Sequence, residues 1–211
     1  EGIRTTNTRL KQLCTDKTTP RNRDEEEIMG YRDVLNTIHE NYEYIPIRSN
    51  YILQLHRDLY KYSEKNIGGN FKNTQNYISA IDGDGNEFVL FTPLAPYEVP
   101  TAINKLCEGY NAAVSAQDID ALILIPIFIH DFLCIHPFND GNGRMSRLLT
   151  TLLLYRSGYV VGKYISLESK IAKNKNLYYK ALEKCQHGWH DNKEDPSSFI
   201  KYLLKIILAA Y

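Results

Sequence analysis

Residues 136–147 read HPFNDGNGRMSR, and this stretch decides which fold and which chemistry the chain can support. An apolar run ends at His136, and Pro137 disfavours helical geometry for the residue before it. Gly141 and Gly143 then precede a new helical pattern, and glycines allow backbone amides to approach a ligand closely. Because a helix N-terminus offers unpaired N–H groups and partial positive charge, the stretch predicts an anion cradle at a joint between two helices.

Side chains suited to phosphate chemistry lie in the same stretch. Arg144 and Arg147 are three residues apart, hence on one helix face, and each guanidinium can bind phosphate oxygens as a planar fork. Asp140 offers a carboxylate that suits a Mg²⁺ ion bridging phosphates. His136 is a candidate general base, because histidine ordinarily titrates near neutrality. Each feature alone is more often structural, but their coincidence favours a catalytic site.

Helical patterns on both sides of the stretch predict a mostly α fold. Residues 119–134 are apolar nearly all round, which is typical of a buried central helix, and Pro126 predicts a kink or a break within it. Residues 142–156 show helical periodicity with Gly158 as a stop signal. Further helical patterns occur around residues 10–13, 28–38, 49–62, 101–110, 177–186 and 197–210.

Two polar features add local predictions. The acidic run at 24–27 follows a polar segment with Pro20, and we interpret it as a solvated face at a helix start. Ser49 is predicted to cap the helix at 49–62.

Residues 71–91 depart from helical periodicity. Within them NYISAIDGDGNEFVLF at 76–91 places two β-prone runs on either side of Asp84 and Gly85. Alternating residues around an Asp-Gly turn predict a β-hairpin. The fold class is therefore mostly α with one hairpin.

Length and composition exclude several classes of protein. The 211 residues suit one large domain or a domain with a short appendage, and 25 basic against 25 acidic side chains leave no net charge. A chain without net charge lacks the positive electrostatic potential with which nucleic-acid binders attract phosphates, so no direct nucleic-acid contact is expected. Four cysteines without a CxxC pair favour a reduced, cytoplasmic setting. No secretory signal is visible and the longest apolar stretch, 121–129, is too short for a bilayer, so no membrane contact is expected.

HPFNDGNGRMSR resembles the Fic family signature HPFx(D/E)GNGRxxR at every fixed position. FKNTQNYI at 71–78 is similar to the flap with which that family aligns its substrates, and Tyr-Tyr-x-Ala-Leu at 178–182 is similar to a segment that lines the adenine pocket. The resemblance implies a Fic-type helical domain with one β-hairpin flap. It also implies three parts: an N-terminal helical segment at 1–46, a catalytic core at 47–190 and a C-terminal helix at 191–211 that can lead into a further domain.

The resemblance implies a protein adenylyltransferase, which moves AMP from ATP onto a hydroxyl of a target protein. His136 would be the general base, Asp140 would hold Mg²⁺ on the phosphates, and Phe138 would anchor the loop by packing. The residues assigned to ATP are Gly141, Asn142 and Gly143 at the α- and β-phosphates, Arg144 in the phosphate clamp, Arg147 at the γ-phosphate, and Tyr178 or Tyr179 against the base.

Partners are implied by the same resemblance. A target protein would dock on the 71–91 hairpin through main-chain strand addition, and modification of the chain itself and a homodimer are both compatible with the sequence. The residues assigned to docking are Lys72, Asn73, Thr74, Gln75, Asn76, Tyr77 and Ile78. At the start of the chain Glu1-Gly2 resembles the end of an inhibitory motif, (S/T)xxxE(G/N), which implies that Glu1 pairs with Arg147.

Other functions stay open at this point. Similar enzymes transfer other nucleotides, phosphocholine or a phosphate, and the presence of Gly143 favours the AMP-transferring branch. The same site could remove AMP, with Glu1 aligning a water. The chain could instead be a regulatory module of a transcription factor that senses nucleotide, although intact His136 and Asp140 argue against an inactive site.

Overall fold

The computed structural model describes residues 3, 5–15, 18–64, 67–81 and 83–210, and it divides the chain into compact units at 1–70 and 71–211. The mostly α class with one hairpin is confirmed. Among the described residues, no helix has both the length and the apolar character that crossing a bilayer needs. The helices are α1 (Asn7–Cys14), α2 (Arg23–Asn41), α3 (Ser49–Leu59), α4 (Val99–Ala116), α5 (Ala121–Ile135), α6 (Asn142–Arg156), α7 (Leu167–Lys173), α8 (Lys175–Gln186) and α9 (Ser197–Leu208), and the strands are β1 (Ile78–Ile81) and β2 (Glu87–Phe91).

The first unit is built on α2, which packs against α1 and α3. Gly30 allows the close approach of α2 to α3, because a Cβ atom there would lie 2.0 Å from the carbonyl oxygen of Leu59. Apolar side chains at helical spacing fill the interface, as the periodicity predicted. The buried members are Leu13, Val34, Ile38, Ile52, Leu55 and Leu59.

The acidic run at the start of α2 is not a solvated face, so that interpretation is wrong. Glu25 is 3% exposed and Glu27 is 5% exposed. Arg9 of α1 donates two hydrogen bonds to Glu25, from Nε to Oε1 at 2.9 Å and from Nη2 to Oε2 at 2.6 Å. The hydrogen bonds from Arg9 are the main cause that lowers the pKa of Glu25 to about 2. A bidentate arginine partner compensates the desolvation of this carboxylate, and sequence periodicity alone does not reveal such a partner.

Two predictions about helix interiors and ends are also corrected. The N-cap of α3 is Arg48, which makes no side-chain capping bond, and Ser49 is the first helical residue. The break considered at Pro126 does not occur, since α5 runs through it from Ala121 to Ile135. Pro126 is buried, and the packing of α5 against α4, α6 and α9 stabilises the helix around it.

The second unit has α5 at its centre, as predicted from its apolar character. Phe128, Ile129 and Phe132 are each at most 2% exposed, and α6 begins and ends where the sequence pattern placed it. Leucines 148, 149, 152 and 153 of α6 are buried, which confirms the predicted inward face. The segment between α5 and α6 therefore lies between two helices that are fixed by the core.

The hairpin pairs β1 and β2 in antiparallel register, with Ser79 opposite Val89 and an irregularity between Ile78 and Ser79. Gly85 supplies the left-handed turn conformation with φ +87°. Most of the apolar side chains on the strands face solvent, including Ile81 at 73% and Val89 at 53% exposure. A two-stranded sheet with exposed apolar residues and unpaired edges is typical of a surface that binds another chain.

Candidate active site

His136 lies at the joint where α5 ends. It is the C-cap of α5, with φ 52° and ψ 62°, and its backbone N–H donates to the Phe132 carbonyl at 3.0 Å. The sequence predicted that the chain leaves helical geometry here because Pro137 follows, and the structure confirms it. A left-handed conformation at a residue other than glycine costs on the order of 1–3 kcal/mol, so neighbouring contacts must hold His136 in place.

The ring of His136 is in the form that a general base needs. Its Nδ1 atom lies 3.1 Å from the carbonyl oxygen of Leu133. A carbonyl only accepts, so Nδ1 carries the proton of the neutral ring and Nε2 keeps its lone pair. Burial lowers the pKa of His136 to about 4, the Leu133 bond opposes this, and the charge of Lys72 lowers the pKa further. The imidazole is therefore neutral at neutral pH.

Asn142 closes the loop that follows His136. Its Oδ1 accepts from the Phe138 backbone N–H at 2.9 Å, and its Nδ2 donates to the Phe138 carbonyl at 2.8 Å. Phe138 is fully buried and lies between the rings of Phe71 and Phe132, each at 6.2 Å, which confirms its role as a packing anchor. Sequence reasoning assigned Asn142 to phosphates, but its side chain is used within the loop, which leaves its backbone N–H for a ligand.

The head of α6 forms the predicted cradle. Gly141 is the N-cap with φ 88°, a conformation that favours glycine, and within the described chain no side chain caps this helix. The first turn of a helix has N–H groups without intrahelical partners, here at Asn142 and Gly143. The amide of Gly141 donates to Asp140 Oδ1 at 2.7 Å. An anion at this position would meet backbone donors and the positive end of the helix dipole.

Asp140 and Arg144 bring opposite charges to the cradle. Arg144 Nη2 lies 3.4 Å from Asp140 Oδ1, and the arginine side chain is 5% exposed while the aspartate is 39% exposed. Arg147, one turn further along α6, is partly exposed. The structure thus places the two predicted arginines on the α6 turn beside the cradle.

Asp140 fits a magnesium ion through the chemistry of its donor set. Among the described residues, no group of three or more His, Cys, Asp or Glu side chains is arranged to hold a metal by itself. Magnesium at phosphate-transfer sites usually takes one or two carboxylates together with substrate phosphates and waters. One partly exposed carboxylate beside an anion cradle meets that requirement.

The two tyrosines of α8 are placed differently. Tyr178 is 8% exposed and packs on Phe199 and Tyr202. Burial raises the pKa of Tyr178 to about 12, while Arg147 and a hydrogen bond with Ser146 lower it, so its hydroxyl lies beside α6. Tyr179 is 50% exposed. Of the two predicted base-binding residues, Tyr179 therefore has the accessible ring.

A cavity of about 760 Å³ continues from α8 towards the end of β2, and sequence reasoning did not find it. Glu183 and Gln186 of α8 line it, and these follow Tyr179 at i+4 and i+7, hence on the same helix face. At its other side Phe91 stacks on His190 at 5.3 Å. The adjacent aromatic residues Trp189 and His190 were the available signal in the sequence.

The family resemblance assigned residues 72–76 to target docking. They lie outside both strands, and four of the five, Lys72, Asn73, Thr74 and Asn76, bond to the loop. The Lys72 N–H donates to the Pro137 carbonyl at 2.8 Å, and Asn76 Nδ2 donates to the Phe138 carbonyl at 3.0 Å. Asn139 bonds to the side chains of Asn73 at 2.9 Å and Thr74 at 3.2 Å.

Other docking residues have different surroundings. Gln75 donates to the Pro93 carbonyl at 3.0 Å. Tyr77 is 59% exposed, and Ile78 is the one residue of the assigned docking segment that belongs to β1. Docking on Tyr77 and Ile78 stays a prediction. Glu1, assigned to inhibition of Arg147, lies outside the described residues.

Comparison with known proteins identifies the family. A model described as "Fic/DOC family" matches residues 46–154, about half of the chain. This chain belongs to the Fic/DOC family. The Fic/DOC match spans the whole stretch at 136–147 and the hairpin.

A curated relative gives a second comparison. Protein adenylyltransferase fic-1 of Caenorhabditis elegans is 31% identical to this chain over 108 residues, which are 51% of this chain and 19% of that protein. The chain thus spans about a fifth of that relative's length.

Solved structures share the Fic/DOC fold. A Fic domain-containing signaling protein from Bacteroides thetaiotaomicron superposes with a TM-score of 0.77 and 24% identity, over 99% of this chain and 79% of that one. The effector BepC of Bartonella tribocorum, solved with bound AMPPNP, superposes with a TM-score of 0.57 and 15% identity, over 94% of this chain and 86% of that one. At these identities the likeness concerns the fold.

Proposed function

We propose that this chain is a protein adenylyltransferase that transfers AMP from ATP to a hydroxyl side chain of a target protein. The observation that carries the proposal is a neutral His136, with a free Nε2 lone pair, one loop away from an anion cradle at the head of α6. Membership of the Fic/DOC family and the name of the C. elegans relative support it. An ATP analogue bound to BepC supports ATP as the donor.

The proposed reaction is an in-line displacement at the α-phosphorus of ATP. His136 Nε2 takes the proton of the target hydroxyl, and the hydroxyl oxygen forms a bond to the α-phosphorus. The bond from that phosphorus to the oxygen bridging the β-phosphorus breaks, and pyrophosphate leaves with the electron pair. Positioning and electrostatic stabilisation supply most of the rate enhancement in such reactions.

The donor's phosphates would be held by the backbone and by α6. The N–H groups of Asn142 and Gly143 would bind the α- and β-phosphates, and Arg144 and Arg147 would offset their charge. Asp140 would hold Mg²⁺. When bound, that ion neutralises charge that develops on the phosphate oxygens.

The nucleoside of ATP would lie along α8. Tyr178 contacts α6 through Ser146, so α8 passes beside the α6 turn that follows the cradle. Tyr179, Glu183 and Gln186 share one face of α8, and the last two line the 760 Å³ cavity. A cavity of this size suits a ligand as large as a nucleoside, and Tyr179 offers a ring for stacking.

The target would dock on the hairpin. β1 and β2 have exposed apolar side chains and edges that can pair with an extended segment, which are the two requirements of strand addition. The segment at 72–76 connects this hairpin to the loop of His136. A docked hydroxyl would thus approach the loop from the hairpin side.

The test of the proposed function uses ATP labelled in either of two phosphates. The protein is incubated with Mg²⁺ and cell extract, with the label in the α-phosphate in one reaction and in the γ-phosphate in a matched control. Relative to extract without the protein, we expect additional bands labelled from the α-phosphate and no additional bands labelled from the γ-phosphate. Additional bands labelled from the γ-phosphate would show phosphate transfer, and no additional band from either label would contradict ATP as the donor.

The dependence of kcat/KM on pH tests the state of His136. The base acts when deprotonated, so activity falls as the pH drops through its pKa in the free enzyme. A pKa lowered from 6.5 to about 4 moves that loss to acid pH, and kcat/KM is expected to stay flat between about pH 5.5 and 7.5. Rates are measured at constant ionic strength, with the titration of free ATP followed separately as control. A half-maximal point near the ordinary histidine value would contradict a buried, neutral base.

A further inference from the structure

Lys72 contacts the backbone carbonyls of the two residues that flank His136, Ile135 and Pro137. Its backbone N–H donates to the Pro137 carbonyl at 2.8 Å, and its Nζ lies 3.4 Å from the Ile135 carbonyl oxygen. The same Nζ donates to Asn76 Oδ1 at 2.7 Å. The side chain is held entirely within this part of the fold, because Lys72 is 3% exposed.

Burying the ammonium group of Lys72 costs desolvation free energy. Desolvation lowers the pKa of Lys72 to about 8, and Glu98 opposes that effect. An aliphatic side chain of similar length would fill the same volume without the desolvation penalty. The hydrogen bonds of Nζ therefore point to a role in fixing the geometry of its partners.

We propose that Lys72 is a positioning residue that holds His136 in its left-handed conformation by binding the carbonyls of Ile135 and Pro137. The expected effect of Lys72 on catalysis rests on the proposed function. Lys72 itself touches no substrate in the proposed reaction. The family resemblance implied a docking role for Lys72, whereas its burial and its hydrogen-bond partners place it against the loop.

The hydrogen bonds to this part of the chain extend one residue further along the loop. Asn76, which accepts from Lys72, donates from Nδ2 to the Phe138 carbonyl at 3.0 Å. The carbonyls of Ile135, Pro137 and Phe138 are thus tied to residues 72 and 76. Because His136 occupies a conformation that costs energy, removing these ties should let the ring leave its productive position.

The experiment compares Lys72→Met, Lys72→Arg and the exposed control Lys105→Met. Methionine retains an apolar stem and the backbone bond to Pro137 but removes the Nζ bonds. We expect Lys72→Met to lower kcat about 10- to 100-fold with KM for ATP within about twofold, since small displacements of reacting groups carry costs of this size. Lys72→Arg restores a buried donor and should recover part of the loss, and Lys105→Met should behave as the parent.

A second readout does not depend on activity. Nitrogen-15 NMR of the His136 ring should show the Nδ1–H tautomer in the parent and a mixture of tautomers in Lys72→Met, with faster hydrogen exchange at the Phe138 amide. If Lys72→Met fails to fold, Asn76→Ala replaces it, since this change removes the bond to the Phe138 carbonyl and the oxygen partner of Nζ.

The outcomes separate this inference from the proposed function. An unchanged kcat and an unchanged ring spectrum in the folded variant would overturn the role of Lys72 and leave AMP transfer standing. A loss caused only by a lower melting temperature, with kcat per folded molecule unchanged, would also overturn it. If the parent transfers no AMP, the proposed function fails, and a change of tautomer would still support positioning of His136 by Lys72.

Discussion

Replacing His136 with alanine is expected to lower AMP transfer by about 10²- to 10⁴-fold, the usual contribution of a general base. The change removes the Nε2 lone pair that, in the proposed reaction, takes the proton of the target hydroxyl. It leaves the backbone bond from residue 136 to the Phe132 carbonyl and the core around α5 in place. The measurement is the initial rate of label transfer from α-labelled ATP, together with a thermal melt.

The control for this variant is His39→Ala, which changes a histidine at the end of α2. It should retain the parent rate. ATP binding to His136→Ala, measured by calorimetry, should stay within a few fold of the parent, because the phosphates are assigned to α6. A variant at His136 that transfers AMP at the parent rate would rule out the proposed general base.

Replacing Asn142 with alanine is expected to lower AMP transfer by about 100-fold and to destabilise the fold by about 1–3 kcal/mol. The reason is loop closure: the variant leaves the Phe138 N–H buried without the acceptor that now lies at 2.9 Å. Both changes are measured on the same samples, by kcat and by denaturant unfolding.

Asn142→Asp is the matched variant. It keeps an acceptor for the Phe138 N–H but loses the donor to the Phe138 carbonyl, so its effect on stability should lie between those of the parent and the alanine variant. If Asn142 acted only on phosphates through its side chain, the alanine variant would raise KM for ATP without loss of stability. That result would contradict the loop-closing role.

Local sequence signals predicted much of the architecture. The bounds of α6 followed from Gly141 before it and Gly158 after it, and the hairpin followed from two β-prone runs around an Asp-Gly turn. The stretch at 136–147 predicted an anion cradle, because its signals are adjacent in sequence and need no distant partner.

The features that escaped prediction depend on residues far apart in the chain. Lys72 and Pro137 are 65 positions apart, and no local pattern indicates that they bond. Glu25 forms a buried ion pair with Arg9, which lies 16 positions earlier in the chain. The acidic run alone was therefore read as a solvated face. The loop-closing bonds of the Asn142 side chain were missed for another reason. Its spacing of four from Phe138 fits such a bond, but the resemblance to the Fic family implied a phosphate contact for this residue.

The most direct test of the account is tandem mass spectrometry of the acceptor residue after reaction with ATP and Mg²⁺. The expected spectrum shows intact AMP joined through a phosphodiester to a serine, threonine or tyrosine hydroxyl, and the adduct is missing when His136→Ala replaces the parent. A bare phosphate or a group other than AMP on the acceptor would contradict the account, as would an AMP adduct that forms equally well without His136.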